Sequence, residues 1–209
     1  MTSPRRRRPS LGHLGVLGVV AGLVASTWVS AATASVNPTQ RVEPSRGLPL
    51  TQRMSTLFRA ITTDSTAIAA PLFFPESAYV SMKTGQIPAP ASDYRERLVA
   101  LYRLDLARYH HVIVAQGAAA FVGVNVAGTR AQWISPGDCE NSIGYWHVPG
   151  VRLVYRVAGV VRSVAVDSLI SWRGVWYVVH LGPNPRRLNV GTLDAPALGR
   201  GRAGPPGGC

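Results

Sequence analysis

Few residues in this chain have the types and spacing to do chemistry, and strand pairing decides which of them meet. Taking Arg173-Gly174 as a two-residue turn sets Asp167 directly opposite His180, with Arg152 of the preceding strand diagonally adjacent. An aspartate against an imidazole can orient the ring for general acid/base work. Alternation along the strands puts all three on the sheet side turned away from the helices, so the preferred reading is cross-strand charge pairing on an outer or interfacial face. Asp105, seven residues after Leu98 and four after Leu101, is the best candidate for a carboxylate turned into a helix–sheet cavity. Pairing with Arg103 or Arg108 at the cavity edge is its alternative. Tyr155 and Tyr177 are hydroxyls on the helix-facing side, and with Asp105 they are the acid/base groups of an enzymatic reading.

The remaining titratable groups have structural readings. His110-His111 closes a helix, where cationic side chains complement the dipole. Trp146-His147 precedes Pro149-Gly150, read as a turn, and its aromatic density reads as core packing. Gly137 to Asn141 is turn-forming and polar, a loop at the cavity mouth. The five histidines and two cysteines show no metal-ligand spacing, and no cofactor motif is present, so neither a metal nor a cofactor is expected. Cys139 and Cys209 can close one disulfide in an oxidising compartment, with a free or intermolecularly paired Cys209 as the competing reading.

The elements that must position these groups follow from hydrophobic period. Leu50, Met54, Leu57, Phe58 and Ile61 recur at helical spacing. A second helical stretch within Ser65 to Thr84 is interrupted by Pro71 and Pro75. A third, with Ser92 as N-cap, carries Tyr94, Leu98, Leu101 and Tyr102 on one face and runs to about Tyr109. Strands follow over Phe121 to Val126, Ala131 to Ile134, Ile143 to Val148, Val151 to Val157, Val160 to Trp172 and Val175 to Leu181. Ala158-Gly159 and Arg173-Gly174 are the hairpin turns. Helices first and a meander afterwards imply an α+β domain, its helices packed on one face of a curved antiparallel sheet. Leu98, Tyr102, Leu153, Val164 and Ile170 would line the pocket between the layers.

The chain begins with Arg5 to Arg8, an uncharged apolar run from Leu11 to Val29, and Ala32-Thr33-Ala34, the parts of an export signal. Residues 1–34 are therefore read as a signal peptide cleaved after Ala34, or as a single membrane anchor through residues 11–29, with the rest of the chain extracytoplasmic, secreted or held at the cytoplasmic membrane. Residues 35–48 read as a linker, 49–183 as the domain, and 184–209 as a disordered basic Gly/Pro-rich tail. The formal charge is +12, of which four are Arg5 to Arg8, and no basic stripe interleaves with aromatics. Nucleic acid is accordingly excluded as a partner.

Two segments carry a resemblance. Phe73-Phe74-Pro75-Glu76 through Asp93-Tyr94-Arg95 to Asp105, and Gly144-Tyr145-Trp146-His147-Val148-Pro149-Gly150 through Ser171-Trp172-Arg173-Gly174-Val175-Trp176-Tyr177-Val178-Val179-His180, are similar to an uncharacterised family of exported bacterial proteins. The helix-then-meander order, with Gly174 before Trp176 in the last hairpin, resembles the nuclear-transport-factor-2-like cone. The resemblance implies a curved sheet wrapped around helices over a pocket, in a superfamily of isomerases, dehydratases, cyclases and non-enzymatic accessory domains. Isomerase-like members place a carboxylate or an Asp/His pair inside the cone, whereas the inner face read here offers Tyr155, Tyr177 and Ser168. The expected function is a non-catalytic envelope module that binds a small apolar molecule or a protein partner, with a homodimer through the sheet as one form. An isomerase-type enzyme and an envelope-associated adaptor are the rivals.

Overall fold

Apolar residues at helical spacing behind a proline make the first element. Helix α1, Leu48–Thr62, has Pro49 in its first turn and buries Leu50, Met54, Leu57, Phe58 and Ile61 on one stripe. Prolines then punctuate the chain in the computed structural model, which describes residues 38–204. Helix α2, Thr66–Ala69, is capped by the Ser65 hydroxyl and passes at Pro71 into a 3-10 turn; Pro75 precedes α3, Glu76–Lys83. The third helical stretch differs from expectation at both ends. Pro90 opens α4, Pro90–Asp93, in place of a Ser92 cap, and the helix continues through a π-helical segment, Tyr94–Val99, into α5, Ala100–Val114. No helix among the described residues is long and apolar enough to cross a membrane, and the expected leader, residues 1–34, lies outside them.

Six antiparallel strands follow, which makes the fold α+β: β1, Ala119–Asn125; β2, Gln132–Ile134; β3, Tyr145–Val157; β4, Val160–Trp172; β5, Val175–His180; and β6, Ala197–Leu198. The order is β1-β3-β4-β5, with β2 also on β3 and β6 also on β4. Both hairpin turns have positive φ at their two central residues, Ala158 and Gly159 at 48° and 77°, Arg173 and Gly174 at 50° and 83°. That is the twist-matched turn geometry the sequence suggested, and it sets Val157 against Val160, Leu153 against Val164 and Val151 against Val166.

Two features of the sheet correct the sequence reading. Pro149-Gly150 is not a turn: β3 runs through it in one piece, with Pro149 paired to Ser168. The proline falls in the interval between the β2 and β1 pairings, where its missing N–H costs no ladder bond on that edge. The second correction is a bulge. Leu169 pairs with Val178, but Ser168 pairs with His180, so β5 holds one extra residue there. Beyond that point each β5 side chain changes face.

The outer face of the sheet is covered from both chain ends, so the linker and tail readings fail over the described residues. On one side Gln40 is buried, donating to the Gly144 carbonyl at 2.9 Å and accepting from Arg173 N–H at 2.7 Å. The Trp146 and Trp176 indoles donate to the Arg41 and Pro44 carbonyls. On the other side the segment after β5 returns as β6 along the edge of β4 and crosses to Gly150, whose carbonyl accepts from Gly204 N–H at 3.0 Å. Its Gly/Pro content supplies close backbone approach here: a Cβ on Gly201 would collide with the Arg152 guanidinium. With both straps in place, that face is not free to receive a second copy of the chain.

Candidate functional site

Between α3, the π-helical segment, residues 139–141 and the helix-facing side of the sheet lies a cavity of about 530 Å3. That volume is in the range of small-molecule sites. Phe74, Met82, Leu98, Ile170 and Val179 form its apolar wall. His147, Ser168 and His180 form a polar row across β3, β4 and β5, with Ser168 paired to His180 and His147 Nε2 at 2.5 Å from the Ser168 hydroxyl. His147 is 7 % exposed, and its Nδ1 is buried without a hydrogen-bond partner. Whichever tautomer the ring adopts, one buried donor or acceptor is left over.

Burial holds both imidazoles neutral at pH 7. It brings the pKa of His147 down to about 4, and that of His180 to about 4, with the nearby positive charges of Arg97, Arg186 and Lys83 adding to the second. Asp167 moves the other way. Half-buried on the same cavity, it rises to about 7 because of burial and the neighbouring Asp194, against the pull of the Asn184 backbone N–H and Arg186. It is thus poised between its two protonation states near neutrality.

The opposite wall is cationic. Arg97, in the π-helical segment, donates from Nε and Nη2 to the two Asp93 oxygens at 2.6 Å each, and Tyr79 donates to the same carboxylate. Hydrogen bonds from Arg97 keep the Asp93 carboxyl below its ordinary value against burial, so it stays ionised. Lys83 donates to the Cys139 carbonyl at 3.0 Å, and burial lowers its pKa, offset in part by Glu140. Tyr79, Lys83, Arg97 and Glu140 also border a second hollow between α4–α5 and Leu188, so they partition inner cavity from outer groove. π-Helical turns often occur where a helix must aim side chains at a site.

The residues singled out from sequence are placed otherwise. The outer-face cluster of Arg152, Asp167 and His180 does not form. The bulge carries His180 to the cavity side, while Asp167 borders both the cavity and the hollow under the C-terminal strap, where Arg152 is bound to Ser163 and the Ala195 and Arg202 carbonyls. Asp105 is fully buried but away from the cavity, paired with Arg186 rather than with Arg103 or Arg108. It also accepts from Gly182 N–H and Thr192 N–H at 2.9 Å each, a structural latch for the strap. Tyr155 packs on Phe58 and meets Gln116; Tyr177 lies under Arg53; neither reaches the cavity. Leu98 and Ile170 line it, whereas Tyr102, stacked on Phe73, and Leu153 and Val164 belong to the core beside it. Cys139 lines the cavity mouth and is disulfide-bonded; Cys209, its expected partner, lies outside the described residues. Among the described residues no cluster of three or more His, Cys, Asp or Glu could hold a metal.

His147, Lys83 and Arg97 were missed. The parity of β3 held the signal for His147, which shares a face with Val151, Leu153 and Tyr155, but reading Pro149-Gly150 as a turn broke that count. Comparison of the chain with protein-family models, with curated proteins and with solved structures finds no match.

Proposed function

We propose that this chain is an extracytoplasmic small-molecule-binding module of the cell envelope, released or tethered by its leader, with a nuclear-transport-factor-2-like arrangement of helices over a sheet. The observation that carries the reading is the cavity itself, lined by the polar row of His147, Ser168 and His180 and by an apolar wall. The mixed lining revises the occupant from an apolar molecule to one with a polar end. Native mass spectrometry of the protein from its host's envelope tests this. A small molecule retained by the wild type and absent from Ile170→Trp, which fills the cavity, is the expected result; identical spectra refute it. The same spectra report whether residues 1–34 have been removed.

One observation favours a second, enzymatic reading: Asp167, neutral-poised, shares the cavity with His147, Ser168 and His180. In that reading Asp167 moves a proton on a bound carbonyl compound. Deuterium uptake from D2O into the retained molecule, abolished in Asp167→Asn, would establish it; no uptake leaves the binding module.

A further inference from the structure

The polar end of the cavity is rich in donors and short of acceptors. Lys83 uses one N–H on the Cys139 carbonyl, and no carboxylate among the described residues lies within ion-pairing distance of it. Arg97 engages Asp93 through Nε and Nη2 and Tyr79 through Nη2, leaving Nη1 without an acceptor among the described residues. Arg97, Lys83, His147 and His180 all line the cavity, and the charges of Arg97 and Lys83 reach His180. Asp93 is already neutralised by Arg97, and Asp167 lines the same cavity. Glu140, at the rim, is the remaining acid beside Lys83. Phe74, Leu98 and Ile170 line the same cavity.

An ammonium without a contacting carboxylate in a half-buried wall fits one negative charge, and the free Arg97 and Lys83 N–H groups fit its oxygens. The surrounding neutral imidazoles provide no counter-charge for a second. Resting on the cavity reading above, we infer that the occupant is a small amphipathic monocarboxylic acid, its carboxylate against Lys83 and Arg97 and its apolar body on Phe74, Leu98 and Ile170. Phosphate esters and dicarboxylates carry more charge than this end neutralises.

Calorimetric titration of the exported protein with 2-naphthylacetate and with the neutral 2-(2-naphthyl)ethanol tests the inference. The expected result is at least tenfold tighter binding of the carboxylate, loss of that preference in Lys83→Met, its retention in Lys83→Arg, and loss of both ligands in Ile170→Trp. Equal binding of the two probes, or tighter binding of the alcohol, both blocked by Ile170→Trp, overturns the charge assignment and leaves the cavity reading standing. Failure of both probes to bind, or binding indifferent to Ile170→Trp, overturns both. The wild-type comparison alone decides the matter if Lys83→Met does not fold.

Discussion

The chain buries polar groups in two places, and they are built differently. At Asp105 the carboxylate meets the Arg186 guanidinium and the N–H groups of Gly182 and Thr192. Every strong interaction the charge requires is supplied by the chain itself. Around His147 the burial is slightly shallower and the hydrogen bonding is incomplete: one ring nitrogen meets Ser168, the other has no partner among the described residues, and the cations nearby keep unused N–H groups. Saturation marks a group that holds the fold together, whereas leftover hydrogen-bonding capacity facing a cavity marks one available to a ligand.

The contrast can be broken most forcefully at the latch. Deleting residues 186–209 removes the cation from Asp105 and uncovers the β4 edge and the outer face, and should cost at least about 5 kcal/mol in denaturant unfolding, enough to abolish cooperative melting of a marginal domain. Asp105→Ala should cost about 3–5 kcal/mol by leaving Arg186, which is 7 % exposed, without a counter-charge. Its mark would be early proteolysis within residues 182–204. A variant as stable as wild type would show that the strap is held by something else.

The cavity responds to pH. His147 and His180 have folded pKa values of about 4 against an ordinary 6.5, so the unfolded chain binds the extra protons between those limits. The histidine contribution should therefore be flat above about pH 6.5, and net stability should fall by about 2–4 kcal/mol on acidification to pH 4. Asp167, raised to about 7, opposes part of that fall, because there the folded state takes up the proton. Asp167→Asn should thus steepen the acid loss and, by removing a half-buried charge, stabilise the protein at pH 8 by about 1–2 kcal/mol relative to its effect at pH 5, after allowance for solvent screening. The same pH dependence in variant and wild type would contradict the placement of Asp167. The smallest effect separates site from scaffold most cleanly. His147→Leu should change stability by less than about 1 kcal/mol, since it removes a buried group that is only partly satisfied, and yet weaken retention of the bound molecule.

The layers were legible because they rest on period. The stripe from Leu50 to Ile61, the punctuation at Pro71 and Pro75, and the turn chemistry of Ala158-Gly159 and Arg173-Gly174 are local, and local rules fixed the β3–β4 register residue by residue. The site was less legible because it depends on departures from period. One extra residue at the β5 bulge moved His180 across the sheet, and a proline accommodated within β3 hid the face of His147. The straps were missed for another reason. Glycine and proline signal disorder when nothing receives them, but here buried Arg152 and Asp105 do, and that long-range pairing leaves no trace in composition.

His147 and His180 line the cavity as imidazoles that burial keeps neutral at pH 7. Imidazole 15N resonances, followed from pH 4 to 8 with and without 2-naphthylacetate, test this directly. Both rings should remain neutral down to about pH 5, with midpoints near 4, and the ring signals of the cavity-lining His147 and His180 should shift on saturation with the probe. Midpoints near the ordinary 6.5 in both rings, with signals indifferent to the probe, would contradict it.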